Sequence, residues 1–280
     1  RQLEQLGQAR WLQQQLQPKD AVLPEPAREA VRSMTISQTS LTDLVLKMEQ
    51  QRKDSDALKD DAEKKAAQQA YQQELNRLAR ESATRHLLRA LYSPAQVQEQ
   101  MTWFWLNHFN VHLYKHNLRA MLGDYENSAL RPHALGRFRD LLGAVTYHPA
   151  MLRYLDNDQN GIPKVNENYA RELLELHTLG VDGGYTQRDV TELARMLTGW
   201  GLDTRKALQG GTGDLFAFDT ARHDTGAKTW LGQAVPGRSG AAGQAEGERA
   251  RRDQLGVAEH AEHHEQPDLG HPADALREQI

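Results

Sequence analysis

The chain lacks several residue types and patterns, and each absence excludes a class of protein or site. It contains no cysteine, which excludes disulfides, cysteine-based zinc sites and a cysteine nucleophile. It has no run of about 18 apolar residues, so the sequence predicts no membrane-spanning helix. Its formal net charge is −4 at pH 7, so no strongly basic field favours nucleic acid as a partner.

The first third of the chain is dominated by strong helix formers. The segment 53–82 is rich in Ala, Glu, Lys and Gln, and its large apolar residues are sparse before Leu75. This pattern predicts a long, charged, solvated helix. If the chain binds a protein partner, we expect it to bind through residues 47–90. This segment does not sustain the apolar heptads that a coiled coil requires.

A denser apolar pattern begins near residue 85. Ser93 is placed to cap a Trp-rich helix, Thr186 and Asp189 form a capping box for a later one, and "DLFAFD" favours a short strand or hairpin. After about residue 237 large apolar residues are scarce, which favours poor order. We therefore predict an all-α, multi-helix protein with an N-terminal helical segment (1–84), a helical core (85–232) and a low-hydrophobicity tail (233–280).

The stretch "DNDQNGIPKVNE", residues 156–167, fits the spacing of a calcium-binding loop. The oxygen ligands of such a loop would be Asp156, Asp158, Asn160 and Glu167. Two residues argue against calcium. Pro163 stands where a β-branched residue or Leu normally pairs two such loops, and Lys164 places a cation near the metal. The alternative is an Asx-type turn between two helices, with Glu167 favoured by the helix dipole.

Three histidines in "HFNVHLYKH" are spaced four residues apart. If the Trp-rich helix continues through them, His108, His112 and His116 stack along one face, where they could chelate a transition metal. The alternative is a core His108 that bonds a neighbour, with the other two histidines facing solvent.

The helix predicted for "NENYARELLELHTLG", residues 166–180, has one polar face. At 100° per residue, Tyr169, Leu173 and Leu176 share the apolar face, with His177 on the same side. The opposite, polar face carries Asn168, Glu172 and Glu175, with Arg171 at its edge. These carboxylates could perform acid–base chemistry or hold a metal, or they could form salt bridges with Arg171. Downstream, His223 and Asp224 could be a ligand pair, an acid–base pair or part of a turn.

Four long blocks of the sequence resemble the bacterial domain of unknown function 1800 family. They are "RHLLRALYSPAQVQEQMTWFWLNHFNVH", "RPHALGRFRDLLGAVTYHPAMLRYLDN", "NENYARELLELHTLGVDGGYTQRDVTELARMLTGW" and "HDTGAKTWLG". The resemblance runs from about residue 1 to 248 and is dense from 85 to 232. It carries these family positions: Trp105, Asn107, His108, Phe109, Asn166, Glu167, Asn168, Arg171, Glu172, Glu175, Gly180, Asp189, Gly199, Trp200, His223 and Asp224.

The resemblance implies a largely helical bacterial protein, often with an export signal, and no established activity. We therefore expect a periplasmic or secreted protein, although these residues include no signal segment. One hypothesis is an enzyme or ligand-binding protein, with calcium or another divalent metal as its candidate cofactor. Its catalytic candidates are Glu172, Glu175, His108 and His223, and its ligand-binding candidates are Asn107, Asn168, Arg171 and Asp224. The other hypothesis is a non-catalytic assembly or surface protein in which the same polar residues form a salt-bridge network.

The end of the chain departs from the family pattern, which the resemblance implies continues with further helices. Residues after about 248 are polar instead, so we expect a truncated or frame-shifted end. Sequencing the coding DNA tests this expectation: an uninterrupted frame, with the further helices absent from close relatives too, would contradict it.

Overall fold

The computed structural model describes residues 2–18, 21–204, 215–235 and 237. The chain forms two compact units, Arg1–Gly136 and Arg137–Ile280. The predicted boundary between residues 84 and 85 falls within a continuous helix, Asp61–Tyr92. Most of the predicted tail, residues 233–280, lies outside the described residues.

The first unit is built from helices. As far as the chain is described, its α-helices are α1 (Gln2–Leu6), α2 (Gln8–Leu16), α3 (Glu25–Arg32), α4 (Thr35–Gln38), α5 (Leu41–Ala57), α6 (Asp61–Tyr92), α7 (Gln96–His108) and α8 (Leu122–Asp124). A π-helical stretch, Tyr125–Leu130, follows α8 directly, and short 3-10 helices occupy Leu118–Ala120 and Arg131–His133.

Helices α5 and α6 supply most of one buried cluster in the first unit. The Ser40 hydroxyl caps α5 by accepting a hydrogen bond from the Asp43 N–H. The apolar residues of the two helices recur at helical spacing, and they pack into a cluster of Leu44, Met48, Tyr71, Leu75, Leu78 and Ala120. Burial of this stripe supports α6, whose first ten residues are exposed or half-buried.

The prediction of one long helix across residues 53–82 is wrong, because two helices share this segment. Helix α5 ends at Ala57, and α6 begins at Asp61. The reason is local: the Asp60 carboxylate accepts hydrogen bonds from the N–H groups of Ala62 and Glu63, which caps a new helix. The segment is therefore the end of one helix and most of another.

The second unit combines helices with two small sheets. Its described elements are α9 (Phe138–Tyr147), α10 (Pro149–Tyr154), a 3-10 helix (Asn157–Gln159), α11 (Asn168–Glu175), α12 (Gln187–Met196), β1 (Trp200–Leu202), β2 (Phe216–Phe218), β3 (Lys228–Trp230) and β4 (Gln233–Val235). Strands β1 and β2 pair antiparallel, with Trp200 opposite Phe218, and β3 pairs antiparallel with β4.

The strict all-α prediction is therefore wrong, although the described chain is mostly helical. The strand predicted at "DLFAFD" is confirmed as β2. Gly199 ends the preceding helical turn with φ +81°, and a Cβ there would meet the Asp219 carbonyl oxygen at 2.5 Å. The aromatic rings of Trp200 and Phe216 then pack edge to face, with centroids 5.4 Å apart, which favours sheet pairing over helix.

The capping box predicted at the start of α12 is confirmed. The Thr186 side chain accepts from the Asp189 N–H, and the Asp189 carboxylate accepts from the Thr186 N–H. The other Asp189 oxygen accepts from the Leu231 N–H at 2.8 Å, so this cap also attaches the turn between β3 and β4.

No helix in the described part of the chain is long and apolar enough to cross a membrane. This agrees with the sequence, in which even the 32-residue α6 is rich in charged and amide side chains.

Truncation of Leu78 tests the importance of the α5–α6 cluster. Leu78 is fully buried, so Leu78→Ala should lower the free energy of unfolding by about 2–5 kcal/mol through lost burial and a residual cavity. The matched control is Leu87→Ala on the same helix, where the side chain is 56% exposed. Urea unfolding of both variants measures the difference, and equal losses would contradict the assigned core.

Candidate functional site

The predicted site residues belong to both units. Asn107 and His108 lie at the end of α7 in the first unit, and the other predicted catalytic, ligand-binding and metal-binding residues lie in the second.

The histidine stack predicted along one helix is wrong, because α7 ends at His108. His112 and His116 follow in non-helical backbone and are exposed, as the alternative for these two residues predicted. His108 is also exposed rather than in the core. Its ring lies parallel to that of Phe104, with centroids 6.4 Å apart, and edge-on to Phe109 at 4.6 Å.

Asn107 is exposed and directly precedes His108 at the end of α7. Its amide donates to the Trp103 carbonyl oxygen at 2.7 Å, a bond within the same helix. Asn107 thus supports the last turn of α7.

The predicted calcium loop is organised around buried amide side chains. Asn160 is fully buried. Its Nδ2 donates to the Ala194 carbonyl oxygen at 2.9 Å, and its Oδ1 accepts from the Asn166 N–H at 2.9 Å. The side-chain oxygen that would bind a metal is thus used to close the loop, as the turn alternative proposes.

The acidic residues of this loop face basic or polar groups. Asp158 pairs with Arg153 at 3.4 Å between Oδ2 and Nε. Glu167 faces helix α12 and is described below. Asp156 has a left-handed backbone with φ 57°, a conformation that Asp tolerates better than most residues. Within the described residues, no three His, Asp or Glu side chains are grouped so that they could hold a metal ion.

Sequence reasoning missed Asn157, which ties this loop to the end of α12. It is 1% exposed, and its Nδ2 donates to the carbonyl oxygens of Leu197 and Trp200 at 3.2 and 3.1 Å. These carbonyls follow a helix end, where acceptors lack helical partners. The dense Asn and Asp content of "DNDQN" is the available signal, but the same residue types also fit a set of metal ligands.

Glu167, just before α11, and Arg171 on α11 form a network of hydrogen bonds with α12 and ion pairs among acidic and basic groups of their own segment. Glu167 accepts hydrogen bonds from the Thr191 hydroxyl at 2.7 Å, the Gln187 amide at 2.8 Å and Arg171 at 3.2 Å. The Thr191 hydroxyl, followed by Gln187 and Arg171, holds the pKa of Glu167 below its ordinary value. Arg171 also pairs with Glu175 at 3.4 Å.

Two other predicted residues of α11 lie outside this network. Asn168 is exposed, and its amide donates to the Leu155 carbonyl oxygen at 3.2 Å. Glu172 is half-buried. Leu176 is 58% exposed because α11 ends at Glu175, so its predicted place on the apolar face is wrong, whereas His177 is buried as predicted.

A second network surrounds Arg195, two turns after Gln187 on α12. Its Nε and Nη2 donate to the two carboxylate oxygens of Asp224 at 2.7 and 3.2 Å, and its Nη1 donates to Glu192 at 2.7 Å. The Arg195 hydrogen bond, together with the Gly226 N–H and the Lys228 charge, keeps the pKa of Asp224 below its ordinary value. A Cβ at position 226 would lie 2.9 Å from Arg195 Nη2, so a larger residue there would displace the end of the Arg195 side chain.

His223 is attached to the end of α12. Its Nδ1 lies 2.8 Å from the Thr198 carbonyl oxygen, and its ring packs edge to face on Phe218 with centroids 5.0 Å apart. The Thr198 hydroxyl accepts from the Asp224 N–H at 2.8 Å. The structure therefore brings His223 and Asp224 together with Thr198 and Arg195.

Sequence reasoning also missed Lys228, a buried amine in this network. Its Nζ donates to the carbonyl oxygens of Asp224 and Gly226 at 2.5 and 2.9 Å and lies 3.9 Å from Asp224 Oδ1. Burial lowers the pKa of Lys228, while the Asp224 carboxylate acts in the opposite direction. The only sequence signal was the lysine four residues after Asp224 in "HDTGAK".

The predicted residues that contact α12 or the chain just after it thus form two polar groups, one after the other along this helix. Near the start of α12, Gln187 contacts Glu167 and Arg171, and Thr191 contacts Glu167. One turn after Thr191, Arg195 contacts Asp224. The contacts of Glu175 belong to the first group, and those of His223 described above belong to the second. Of the three predicted catalytic residues in this unit, Glu175 and His223 take part in different networks, and Glu172 lies outside both.

Comparison with known families returned one match. The family model described as "Protein of unknown function (DUF1800)" matches residues 1–263. No curated protein and no solved structure matches the chain.

Replacing the central cation of the second network should destabilise the second unit. Arg195→Met leaves two partly buried carboxylates without their strongest donor, so the free energy of unfolding should fall by about 1–3 kcal/mol. Arg188→Met, an exposed position on the same helix, should change it by less than about 0.5 kcal/mol. Chemical unfolding compares the two, and similar small effects would show that Arg195 contributes little.

The lowered pKa of Asp224 predicts a dependence of stability on acid pH. Because the folded pKa lies below the unfolded value of about 3.9, the stabilisation is present above that value and disappears as pH falls through the folded pKa. Asp224→Asn should therefore lose stability at neutral pH and show a weaker decline on acidification.

Unfolding measured between about pH 2 and 6 tests this dependence. Asp182→Asn, an exposed position in the same unit, is the control and should retain the wild-type profile. If Asp224→Asn retains that profile too, the pairing with Arg195 does not set the acid sensitivity.

Proposed function

The chain belongs to the DUF1800 family, described as a protein of unknown function, and on that premise we propose that it is a non-catalytic assembly or surface protein. Its polar residues would then serve to hold loops on helices rather than to transform a substrate. This is the structural alternative that the sequence left open for the same residues.

The observation that supports this proposal is the saturation of the Arg195 network. Both oxygens of Asp224 accept from Arg195, one of them also accepts from the Gly226 N–H, and Glu192 takes the remaining end of the guanidinium. A carboxylate with this many donors is already stabilised as an anion. Little of its hydrogen-bonding capacity is left for a substrate.

The electrostatics of both networks favour the same proposal. General acid–base catalysis works best when the pKa of the catalytic group lies near the working pH. The pKa values of Asp224 and Glu167 instead lie below those of ordinary carboxylates, because Arg195 donates to Asp224 and the Thr191 hydroxyl donates to Glu167, each together with further donors. Such groups are well suited to permanent ion pairs and poorly suited to proton transfer at neutral pH.

The proposal extends to location and partners. A periplasmic or secreted location rests on the family resemblance, and cell fractionation with an antibody to the chain tests it. Residues 47–90 are proposed as the surface that binds a protein partner, because α6 exposes polar side chains on nearly all sides over residues 61–70.

A photo-crosslinking residue can test that surface. Gln69 is exposed on α6 and Arg188 is exposed on α12. A crosslinker at position 69 should give a discrete adduct in the native cell, whereas one at position 188 should not. Adducts at both positions, or at neither, would contradict the assigned surface.

The second candidate function is that of an enzyme or ligand-binding protein with a divalent metal. One group of observations favours it. Lys228 is a buried amine with a lowered pKa, and such groups are frequent at functional sites. In addition, the half-buried Glu172 makes no hydrogen bond or ion pair through its carboxylate within the described part of the chain. These residues are the ones that a catalytic function would use.

Metal analysis with calcium-dependent melting separates the two candidates. For the structural proposal, protein purified without chelator should carry no stoichiometric metal, and calcium should leave the Tm unchanged in both wild type and Asp158→Asn. A calcium-induced rise in Tm in wild type that Asp158→Asn abolishes would favour the second candidate. The exposed Asp182→Asn variant controls for nonspecific charge effects.

A further inference from the structure

A junction in the first unit brings together one side chain from each of three helical elements. His86 of α6 places Nδ1 3.2 Å from Glu126 Oε1 in the π-helical stretch, and its ring lies 5.1 Å from the Trp103 ring of α7. We infer that this junction is a pH-responsive clasp, which is tighter when His86 carries a proton. This inference is independent of the function proposed above.

Glu126 is the group that makes the clasp sensitive to charge. It is 3% exposed, and a buried carboxylate is costly unless cations and hydrogen-bond donors compensate it. Arg89 Nη1 is 4.0 Å away, too far for a hydrogen bond, and Arg89 Nη2 donates to Asn127 instead. The hydrogen bond to the Glu126 carboxylate therefore comes from His86.

The other charged groups around the junction are engaged elsewhere. Arg131 forms a bidentate pair with Glu99 of α7, with contacts of 2.6 and 3.1 Å. Arg85 donates to the Gly123 carbonyl oxygen. Asp124 accepts from the Ser128 hydroxyl. These groups contribute background charge, but none of them replaces His86 at Glu126.

Protonation changes two contacts of His86 at once. An imidazolium strengthens the hydrogen bond to the carboxylate. It also places a cation against the ring of Trp103, within the range of a favourable cation–π contact. Both effects favour the charged ring, and the hydrogen bond to Glu126 is the largest cause that raises the pKa of His86.

The raised pKa of His86 sets the direction in which stability changes with pH. Because the folded pKa of His86 is above the unfolded value, the extra stability is present in full below about pH 6.5 and is lost as pH rises through the folded pKa. Trp103 is 50% exposed and touches the titrating ring. Its fluorescence should therefore report the protonation of His86.

The test follows the protonation of His86 directly. NMR titration of the imidazole should give a midpoint above the ordinary histidine value of about 6.5, and Glu126→Gln should lower it. In parallel, tryptophan fluorescence should change over the same pH range in wild type, and His86→Gln and Trp103→Phe should each remove that change.

Melting measurements cover the case in which Glu126→Gln fails to fold. Between about pH 6 and 9, wild type should lose a few °C more in Tm than His86→Gln, while His112→Gln should behave like wild type. A His86 midpoint at or below about 6.5, or equal pH dependence of melting in wild type and His86→Gln, would overturn the inference.

Discussion

The partly buried guanidinium of Arg195 is the constraint on which the described second unit most depends. A cation removed from water must be neutralised, and Asp224 and Glu192 do so with direct hydrogen bonds. Because Asp224 lies 29 residues further along the chain, satisfying that charge holds the chain after β2 against α12. The Asp189 bond to the Leu231 N–H adds a second attachment to the same helix. Two charged side chains of one helix thus position the β3–β4 region.

Amide side chains play the corresponding role for neutral groups. Buried backbone carbonyls at a helix end need donors, and Asn157 and Asn160 supply them to Leu197, Trp200 and Ala194. This requirement explains why a loop rich in Asn and Asp can be structural. The residues that resemble metal ligands in the sequence are the same residues that can satisfy backbone groups, since both roles use a short side chain with an oxygen.

The candidate site was predictable from the sequence only where partners are close along the chain. The capping box of Thr186 and Asp189 and the pair of Arg171 and Glu175 join residues three and four positions apart, and both are present. The prediction of a histidine stack was wrong because it required α7 to continue past His108, where the helix ends. The pair of Arg195 and Asp224 had a weaker signal, because nothing local in either segment specifies the other. Lys228 and Asn157 were missed for the same reason, since their acceptors are backbone carbonyls, which have no sequence signature.

The sequence by itself determined the helical character of most of the described chain, the capping box at Thr186, the short β2 strand and membership of the DUF1800 family. These properties follow from hydrophobic periodicity, from helix and strand propensity, and from motifs. Each of these depends on a few neighbouring residues or can be read directly from the sequence. Only the tertiary structure decided that Arg195 pairs with Asp224, and that His86, Trp103 and Glu126 share one junction. Such contacts join distant positions, and their energies depend on burial and distance, which no local pattern of residues specifies.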